Sequence, residues 1–291
     1  MGAKATTVDE QIALLKGRGM VGMIIDNEAK AKEILLDIGY YRLGFYWNCF
    51  ECDNAHKLTD GTKFEDVVSL YYLDVDLREL LLKYIYRIEV HFRTQIVYFV
   101  SNEHKNSPTW FVDNKVVSAG YLSNFYKFYT DDFKRNNKPI DKHHKKYIND
   151  KYAPAWKTIE FMTFGASLKL FRCLKDLELK QKIALSYNLR SLKVFDNFIQ
   201  SVVYVRNMCS HGGVLYDLSQ PLGVNKIPGN NYPFTNRHSL DASIKAIRYL
   251  LAQISHNREN DLNNKVDELL RRHESNPAIK QIIETKIGYQ L

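Results

Sequence analysis

Residues 63–104 read KFEDVVSLYYLDVDLRELLLKYIYRIEVHFRTQIVYFVSNEH and contain neither proline nor glycine. Apolar residues recur three and four positions apart in this stretch, which is the spacing that lines one face of an α-helix. The residues that keep this spacing are Leu73, Leu77, Leu80, Leu81, Tyr84, Ile85, Ile88 and Phe92. Because proline and glycine are the residues that most often interrupt helices, the stretch predicts one or two long helices.

The rest of the chain shows helical spacing too, and no run alternates apolar and polar residues as a β-strand does. Asn27 predicts the start of an amphipathic helix that includes residues up to 47, and Pro154 predicts the start of another. Residues 192–209 predict a further long helix. Residues 212–237 are rich in glycine, proline and asparagine and predict a structured loop over the helices.

We therefore predict an all-α fold, a multi-helix bundle that forms one compact unit. An N-terminal helical region, residues 1–105, ends in the long helix, and a second helical region covers residues 106–291. A fold of this size can bury a sizeable core, since 45% of the residues are apolar.

The charge of the chain favours a polyanionic partner. The 291 residues carry a formal net charge of +8, and nucleic acid is the commonest polyanion in cytoplasm. Residues 134–152 hold seven Lys or Arg and two His against two Asp, with Tyr147 and Tyr152 interleaved. Such a surface holds phosphates and stacks bases, and the alternative is a solvated loop. The candidate RNA-binding residues here are Lys142, His143, His144, Lys145 and Lys146.

The four cysteines are too few and too scattered for a disulfide framework, which indicates a reducing cytoplasm. Cys49 and Cys52 form a CxxC pair, but no second pair completes a zinc site. Metal or redox chemistry at this pair and two small packed side chains are the alternatives. No apolar run approaches 20 residues and the N-terminus has no apolar signal region, so we expect neither a membrane span nor secretion.

Residues 201–217 read SVVYVRNMCSHGGVLYD, an apolar helical stretch that runs into Arg206, Asn207 and His211 and stops at two glycines. On a regular helix Arg206 and His211 would lie about 140° apart around the axis. The glycines predict the left-handed or irregular turn that ends a helix, where His211 can swing toward the arginine. Asn207 can orient either group. The alternative is a helix C-cap in which His211 interacts with terminal carbonyl groups.

These three residue types suit RNA cleavage. Arginine forks onto phosphate oxygens, histidine transfers a proton near neutral pH, and RNA supplies its own nucleophile in the 2′-hydroxyl group. No metal or other cofactor is needed, and DNA would not be a substrate. Cleavage requires both a base and an acid, so we expect a homodimer whose two-fold axis brings two copies of the site together.

The segment RNMCSH, residues 206–211, resembles the R-polar-x3-H signature of the HEPN superfamily of helical ribonucleases. Four further segments resemble the sequence blocks of Abi-like abortive-infection proteins of the AbiD and AbiF type. These segments are LLKGRGM, LLDIGYYRLGFYW, RIEVHFRTQIVYF and AWKTIEFMTFGASLKLFRCL. The resemblance covers roughly residues 8–255.

This resemblance implies a HEPN-like core within the bundle and an RNA-cleaving toxin that acts in bacterial phage defence as a dimer. For the AbiF branch it also implies a small structured non-coding RNA that binds and restrains the protein. Carried onto this sequence, Arg206 and His211 take the catalytic positions, and Asn207 takes the polar position between them.

A second Arg-His pair lies on the long helix. Arg87 and His91 are four residues apart and share a helical face, so they could form a second half-site within one chain, although their spacing is one residue shorter than the HEPN motif. Arg93 is a further candidate RNA contact. The alternative is that Arg87, Glu89 and Arg93 form a structural ion-pair network, with His91 hydrogen-bonded against the core.

Arg18 and Arg42 are Gly-flanked candidates for contact with RNA phosphates. The alternative is an arginine stacked on Tyr40 or Tyr41 that pins the N-terminal turn. For Glu160 we expect burial, with its carboxylate satisfied by backbone or arginine. Two functions therefore stand: a metal-independent endoribonuclease restrained by an RNA or a partner, or a non-catalytic RNA-binding protein whose Arg-His site holds phosphates.

Overall fold

A computed structural model describes residues 4–229 and 231–291. These residues contain no β-strand, only isolated β-bridges, and the all-α multi-helix bundle is confirmed. The α-helices are, in chain order, α1 (Val8–Gly17), α2 (Met23–Asp26), α3 (Glu28–Ile38), α4 (Tyr40–Trp47), α5 (Phe64–Glu103), α6 (Ala119–Phe125), α7 (Asp131–Asn136), α8 (Lys138–Lys146), α9 (Ala155–Thr158), α10 (Phe164–Cys173), α11 (Leu177–Leu185), α12 (Leu192–Ser210), α13 (Leu240–Ala252), α14 (His256–Arg271) and α15 (Pro277–Ile282). Shorter segments are the 3-10 helices Asn48–Phe50, Trp110–Val112 and Ile159–Phe161 and the π-helix Ile283–Ile287.

Helix α5 is the central element. It is a single 40-residue helix, about 60 Å long at 1.5 Å per residue, and it packs against α4, α11, α12, α13 and α14. Of the eight apolar residues that predicted it, seven are buried and Leu80 is half-buried. Four charged residues share its buried face: Asp74, Arg78, Glu89 and Arg93.

One continuous hydrophobic core runs from Ile12 to Ile287 and crosses residue 105, the predicted boundary between the two helical regions. Phe92 of α5 stands at an aromatic cluster in this core. Its ring lies 5.8–6.0 Å, centroid to centroid, from the rings of Phe164, Phe171 and Phe195. Helices α10 and α12 are thereby packed against the middle of α5. No helix among the described residues is long and apolar enough to cross a lipid bilayer.

The N-terminal helices follow the predicted signals with one correction. The Asn27 side chain accepts a hydrogen bond from the amide of Lys30 and caps α3, as predicted. The helix does not continue to residue 47, because Gly39 adopts φ 92° and separates α3 from α4. This positive φ favours glycine and lets the chain change direction between the two helices.

Between α12 and α13 the described residues, 211–229 and 231–239, contain no helix, as predicted for residues 212–237. The start of this loop is anchored by buried apolar side chains, Leu215, Tyr216 and Leu218. Farther along, Gln220 donates hydrogen bonds to the hydroxyl groups of Ser201 (2.9 Å) and Ser243 (3.0 Å). These contacts hold the loop against the helices that flank it.

Candidate functional site

Helix α12 ends in the turn that the two glycines predict. His211 is its C-cap residue, and its amide still donates to the carbonyl of Asn207 at 3.0 Å. Gly212 adopts the left-handed conformation, with φ 66°. The amide of Gly213 then donates to the carbonyl of Met208 at 2.7 Å, which is the six-to-one bond of a Schellman motif. The left-handed residue is therefore Gly212, and His211 remains in the register of the helix.

The three predicted site residues lie at the C-terminal end of α12, in its last turn and at its C-cap. The Arg206 side chain is 28% exposed, and its Nη1 donates to Asn207 Oδ1 at 3.3 Å. Asn207 and His211 are exposed, and the His211 imidazole makes no hydrogen bond within residues 4–229 and 231–291. A fixed cation, an amide that orients it and an unengaged imidazole are thus available at one end of α12. Such a set can bind a phosphate and transfer a proton.

On the side of Arg206 that faces the interior, Glu89 pairs with both Arg206 and Arg93. Glu89 Oε2 on α5 is 3.8 Å from Arg206 Nε, and its Oε1 is 3.3 Å from Arg93 Nη2. Burial raises the pKa of Glu89, while the charges of Arg93 and Arg206 act in the opposite direction. The Arg93 guanidinium also donates to the carbonyls of Glu160 and Met162.

These ion pairs, and the contacts of Arg93 with two carbonyl groups, correct two predictions. Arg93 is only 7% exposed and is engaged by Glu89 and two carbonyl groups, so it is a structural ion-pair partner rather than a surface for RNA. The expected burial of Glu160 is wrong, because that residue is exposed and its backbone carbonyl, not its carboxylate, meets Arg93.

Arg87 and His91 do not face solvent together. Arg87 is exposed, whereas His91 is half-buried and its Nδ1 lies 2.9 Å from the hydroxyl of the buried Tyr187. Its Nε2 lies 3.2 Å from Gln95 Nε2. Burial lowers the pKa of His91, and the charge of Arg87 lowers it further. Both ring nitrogens are therefore engaged, and this geometry matches the alternative of a histidine hydrogen-bonded against the core.

Asp74 on α5 was not identified in the sequence, yet it contacts the segment that follows His211. Its side chain is completely buried. Oδ1 accepts from the amides of Leu215 and Tyr216, both at 2.8 Å. Oδ2 accepts from the Tyr46 hydroxyl at 3.0 Å and from Arg78 Nη1 at 3.2 Å. Burial raises the pKa of Asp74, although these donors stabilise its carboxylate form.

Two arginines hold the carbonyl groups of the glycine turn. Arg42 Nη1 on α4 donates to the carbonyl of Gly212 at 2.6 Å, and Arg78 Nη1 donates to that of Gly213 at 3.0 Å. Arg42 also donates to the Tyr46 hydroxyl at 3.2 Å and lies over the Tyr46 ring. Arg42 is thus engaged with the turn instead of Tyr40 or Tyr41. We name Arg42, Tyr46, Asp74 and Arg78 the turn clamp.

The remaining basic candidates divide between surface and interior. Lys142, Lys145 and Lys146 are exposed on α8, whose sequence therefore forms a helix rather than a loop. His143 is 5% exposed, with Nε2 3.1 Å from Asp150 Oδ2. His144 Nε2 lies 2.9 Å from the Tyr129 hydroxyl, and burial lowers its pKa. His143 is buried and His144 contacts Tyr129, so the exposed basic side chains of α8 are lysines.

Arg18 and the CxxC pair are not members of the turn clamp, although Cys49 contacts the backbone of Tyr46. Arg18 is the half-buried C-cap residue of α1. Cys49 Sγ donates to the carbonyl of Tyr46 and Cys52 Sγ to that of Lys57, each at 3.3 Å. Burial raises the pKa of Cys49 to about 11, which disfavours the reactive thiolate. Among the described residues no group of three or more His, Cys, Asp or Glu could hold a metal ion.

Fold and site define an all-α helical bundle that presents an Arg-Asn-His set at the end of one helix. The model of the Abi-like protein family matches residues 33–217, and the chain belongs to this family. Membership suggests a role in abortive-infection phage defence. The matched region includes the turn clamp, Glu89, Arg206 and His211. No curated protein and no solved structure matches the chain.

Proposed function

We propose that this protein is a metal-independent endoribonuclease of the HEPN type, an RNA-cleaving toxin of the AbiD or AbiF kind used in phage defence. The observation that carries the proposal is the open end of α12, where Arg206 is oriented by Asn207 and the exposed imidazole of His211 makes no hydrogen bond in the described parts of the chain. Membership of the Abi-like family supports it.

In the proposed reaction the RNA 2′-oxygen attacks the adjacent phosphorus and the bond to the 5′-oxygen breaks. A general base takes the 2′-hydroxyl proton, and a general acid protonates the leaving 5′-oxygen. Arg206 stabilises the negative charge on the phosphorane. One His211 can serve one of these roles at a time, so a homodimer that pairs two copies of the site supplies both.

RNA is the proposed partner in two ways, as the target and as a small structured non-coding RNA that restrains the toxin. RNA phosphates would contact the exposed lysines of α8, which are Lys142, Lys145 and Lys146. Replacing all three by glutamine should weaken RNA binding and flatten its salt dependence. The matched control replaces Lys57, Lys182 and Lys193, which are also exposed but lie elsewhere. If RNA binding depends on salt equally in both triple variants, α8 is not part of the RNA-binding surface.

The test of the nuclease uses purified protein and RNA in EDTA. We expect fragments with 2′,3′-cyclic phosphate and 5′-hydroxyl ends, and their loss in His211→Ala and Arg206→Ala. His256→Ala is the matched control, because His256 is an exposed histidine on α14 outside the site. RNA that copurifies with the protein should be sequenced, and a single structured species would support restraint by RNA.

The alternative is a non-catalytic RNA-binding protein, and the exposed lysines of α8 are the observation that favours it. Salt-dependent RNA binding by the wild-type protein, without any cleavage that depends on His211, would establish this alternative and reject the nuclease.

A further inference from the structure

We propose that the turn clamp positions His211. Arg42, Asp74 and Arg78 fix the backbone of residues 212–216 and so set the place from which the imidazole reaches RNA. The inference rests on the proposed function, because it assigns these residues to the same site. They are positioning residues, since each acts through the backbone that follows His211.

The clamp binds both parts of the segment that follows His211. Arg42 donates a hydrogen bond to the carbonyl of Gly212 at 2.6 Å, and Arg78 donates one to the carbonyl of Gly213 at 3.0 Å. The Asp74 carboxylate accepts hydrogen bonds from the amides of residues 215 and 216, both at 2.8 Å. On the other side, the His211 amide is fixed by the last hydrogen bond of α12. The backbone is therefore held before and after His211, while the imidazole itself stays exposed.

Anchoring the loop does not by itself require this cluster. Leu215 is 0% exposed and Leu218 is 5% exposed, so apolar side chains already bury the start of the loop. A buried carboxylate and a buried guanidinium carry a desolvation penalty that an apolar contact avoids. What the charged groups add is direction, because hydrogen bonds to four backbone groups define the path of the turn. Reacting groups need such fixed placement, since a displacement of about 1 Å can cost a factor of about 100 in rate.

The clamp also spans three separate parts of the fold. Arg42 and Tyr46 lie on α4, Asp74 and Arg78 lie on α5, and the bound turn follows α12. Tyr216 returns a hydrogen bond from its hydroxyl to the carbonyl of Phe45 on α4 at 2.7 Å. The position of His211 is consequently set relative to the central helix and to α4, and not by α12 alone.

The experiment compares Asp74→Asn and Arg42→Ala with Asp241→Asn. The control carboxylate is also buried, at 1% exposure, and pairs with Lys245 at 2.7 Å on α13, outside the clamp. For RNA cleavage we expect kcat to fall about 10- to 100-fold in the clamp variants with KM changed less than about 2-fold, and little change in the control. Arg42→Lys should recover part of the loss. In a His211→Ala background, Asp74→Asn should cause no further loss.

A second measurement does not depend on cleavage. Hydrogen exchange should accelerate at the amides of Leu215 and Tyr216 in Asp74→Asn, and the NMR signals of the His211 ring should shift or broaden. Neither change should occur in Asp241→Asn. Unchanged exchange and unchanged ring signals would overturn the inference, as would equal losses of kcat in clamp and control variants. If the wild-type protein cuts no RNA, the proposed function fails, while exchange and ring signals still decide whether the clamp positions His211.

Discussion

Glu89 on α5 forms an ion pair with Arg206 on α12, with its Oε2 3.8 Å from the Arg206 Nε. The Glu89 side chain is 9% exposed and that of Arg206 is 28% exposed, so the carboxylate approaches from the interior and leaves part of the guanidinium accessible. The second carboxylate oxygen is bound to Arg93. Glu89 therefore joins the candidate phosphate-binding group to a buried arginine.

We expect Glu89→Gln to lower the kcat of RNA cleavage about 10-fold, because a neutral amide attracts the Arg206 Nε less and orients the guanidinium less well. RNA affinity should rise, since a negative charge near the phosphate is removed. Steady-state cleavage and RNA titrations measure the two effects. Glu160→Gln is the control, because Glu160 is exposed and its carboxylate forms no ion pair with Arg206 in the described parts of the chain. Equal kcat in both variants would speak against orientation by Glu89.

A side chain at Gly213 would crowd Met208. A Cβ there would lie 2.5 Å from Met208 Cε, the movable end of a flexible side chain, and 3.1 Å from the Met208 carbonyl oxygen, which is fixed in the backbone. We expect Gly213→Ala to reduce the free energy of unfolding by about 1–3 kcal/mol, as overpacking does, and to reduce cleavage because the turn after His211 must shift. Urea unfolding and the cleavage assay check both effects.

Gly120→Ala is the matched control for that substitution. Gly120 is inside α6, and in the described parts of the chain no atom other than those of its chain neighbours and its own helix backbone lies within 4 Å of a Cβ there. We expect an unchanged or slightly higher free energy of unfolding, by up to about 1 kcal/mol, because alanine is the better helix former. A Gly213→Ala protein as stable and active as Gly120→Ala would show that the turn has room to adapt.

Local sequence signals predict much of this fold. The uninterrupted apolar periodicity of residues 63–104 predicts one or two long helices, and the structure has one, α5. The capping asparagine predicts the start of α3. The two glycines predict the end of α12. Each of these features depends on residues within a few positions of one another, which is why a single sequence contains them.

The turn clamp could not be predicted in this way. Asp74 contacts residues that lie 141 and 142 positions further along the chain, and Arg42 contacts a glycine 170 positions away. Periodicity indicates that Asp74 and Arg78 share the buried face of α5, and two opposite charges four positions apart on that face were the available signal. It does not indicate which loop covers them. The break at Gly39 is not indicated by the sequence pattern, because apolar spacing continues on both sides of it.

His91 should make stability depend on pH. Burial lowers its pKa below the usual 6.5, so the unfolded chain binds a proton more readily than the folded chain. The stabilising contribution of His91 is therefore complete above about pH 6.5 and is lost as pH falls through the lower folded pKa. We expect the advantage of wild type over His91→Gln in urea unfolding to shrink between about pH 8 and about pH 5.

The same variant tests whether Arg87 and His91 form a second half-site. Because His91 is hydrogen-bonded to Tyr187, we expect His91→Gln and Arg87→Gln to cleave RNA at nearly the wild-type rate. A loss of cleavage in both variants as complete as in His211→Ala would instead support a half-site within one chain and remove the need for a dimer.

A mixed dimer gives the sharpest test of a shared site. Protomers with two different tags can be coexpressed, and the doubly tagged species purified, with one wild-type copy and one His211→Ala copy. If base and acid come from the two copies, one missing imidazole disables the common site, and we expect the mixed dimer to lose nearly all activity. A mixed dimer of wild type with His256→Ala should keep full activity, since His256 lies on α14 outside the site. Retention of about half the activity in the His211→Ala mixed dimer would mean that each protomer cleaves RNA independently.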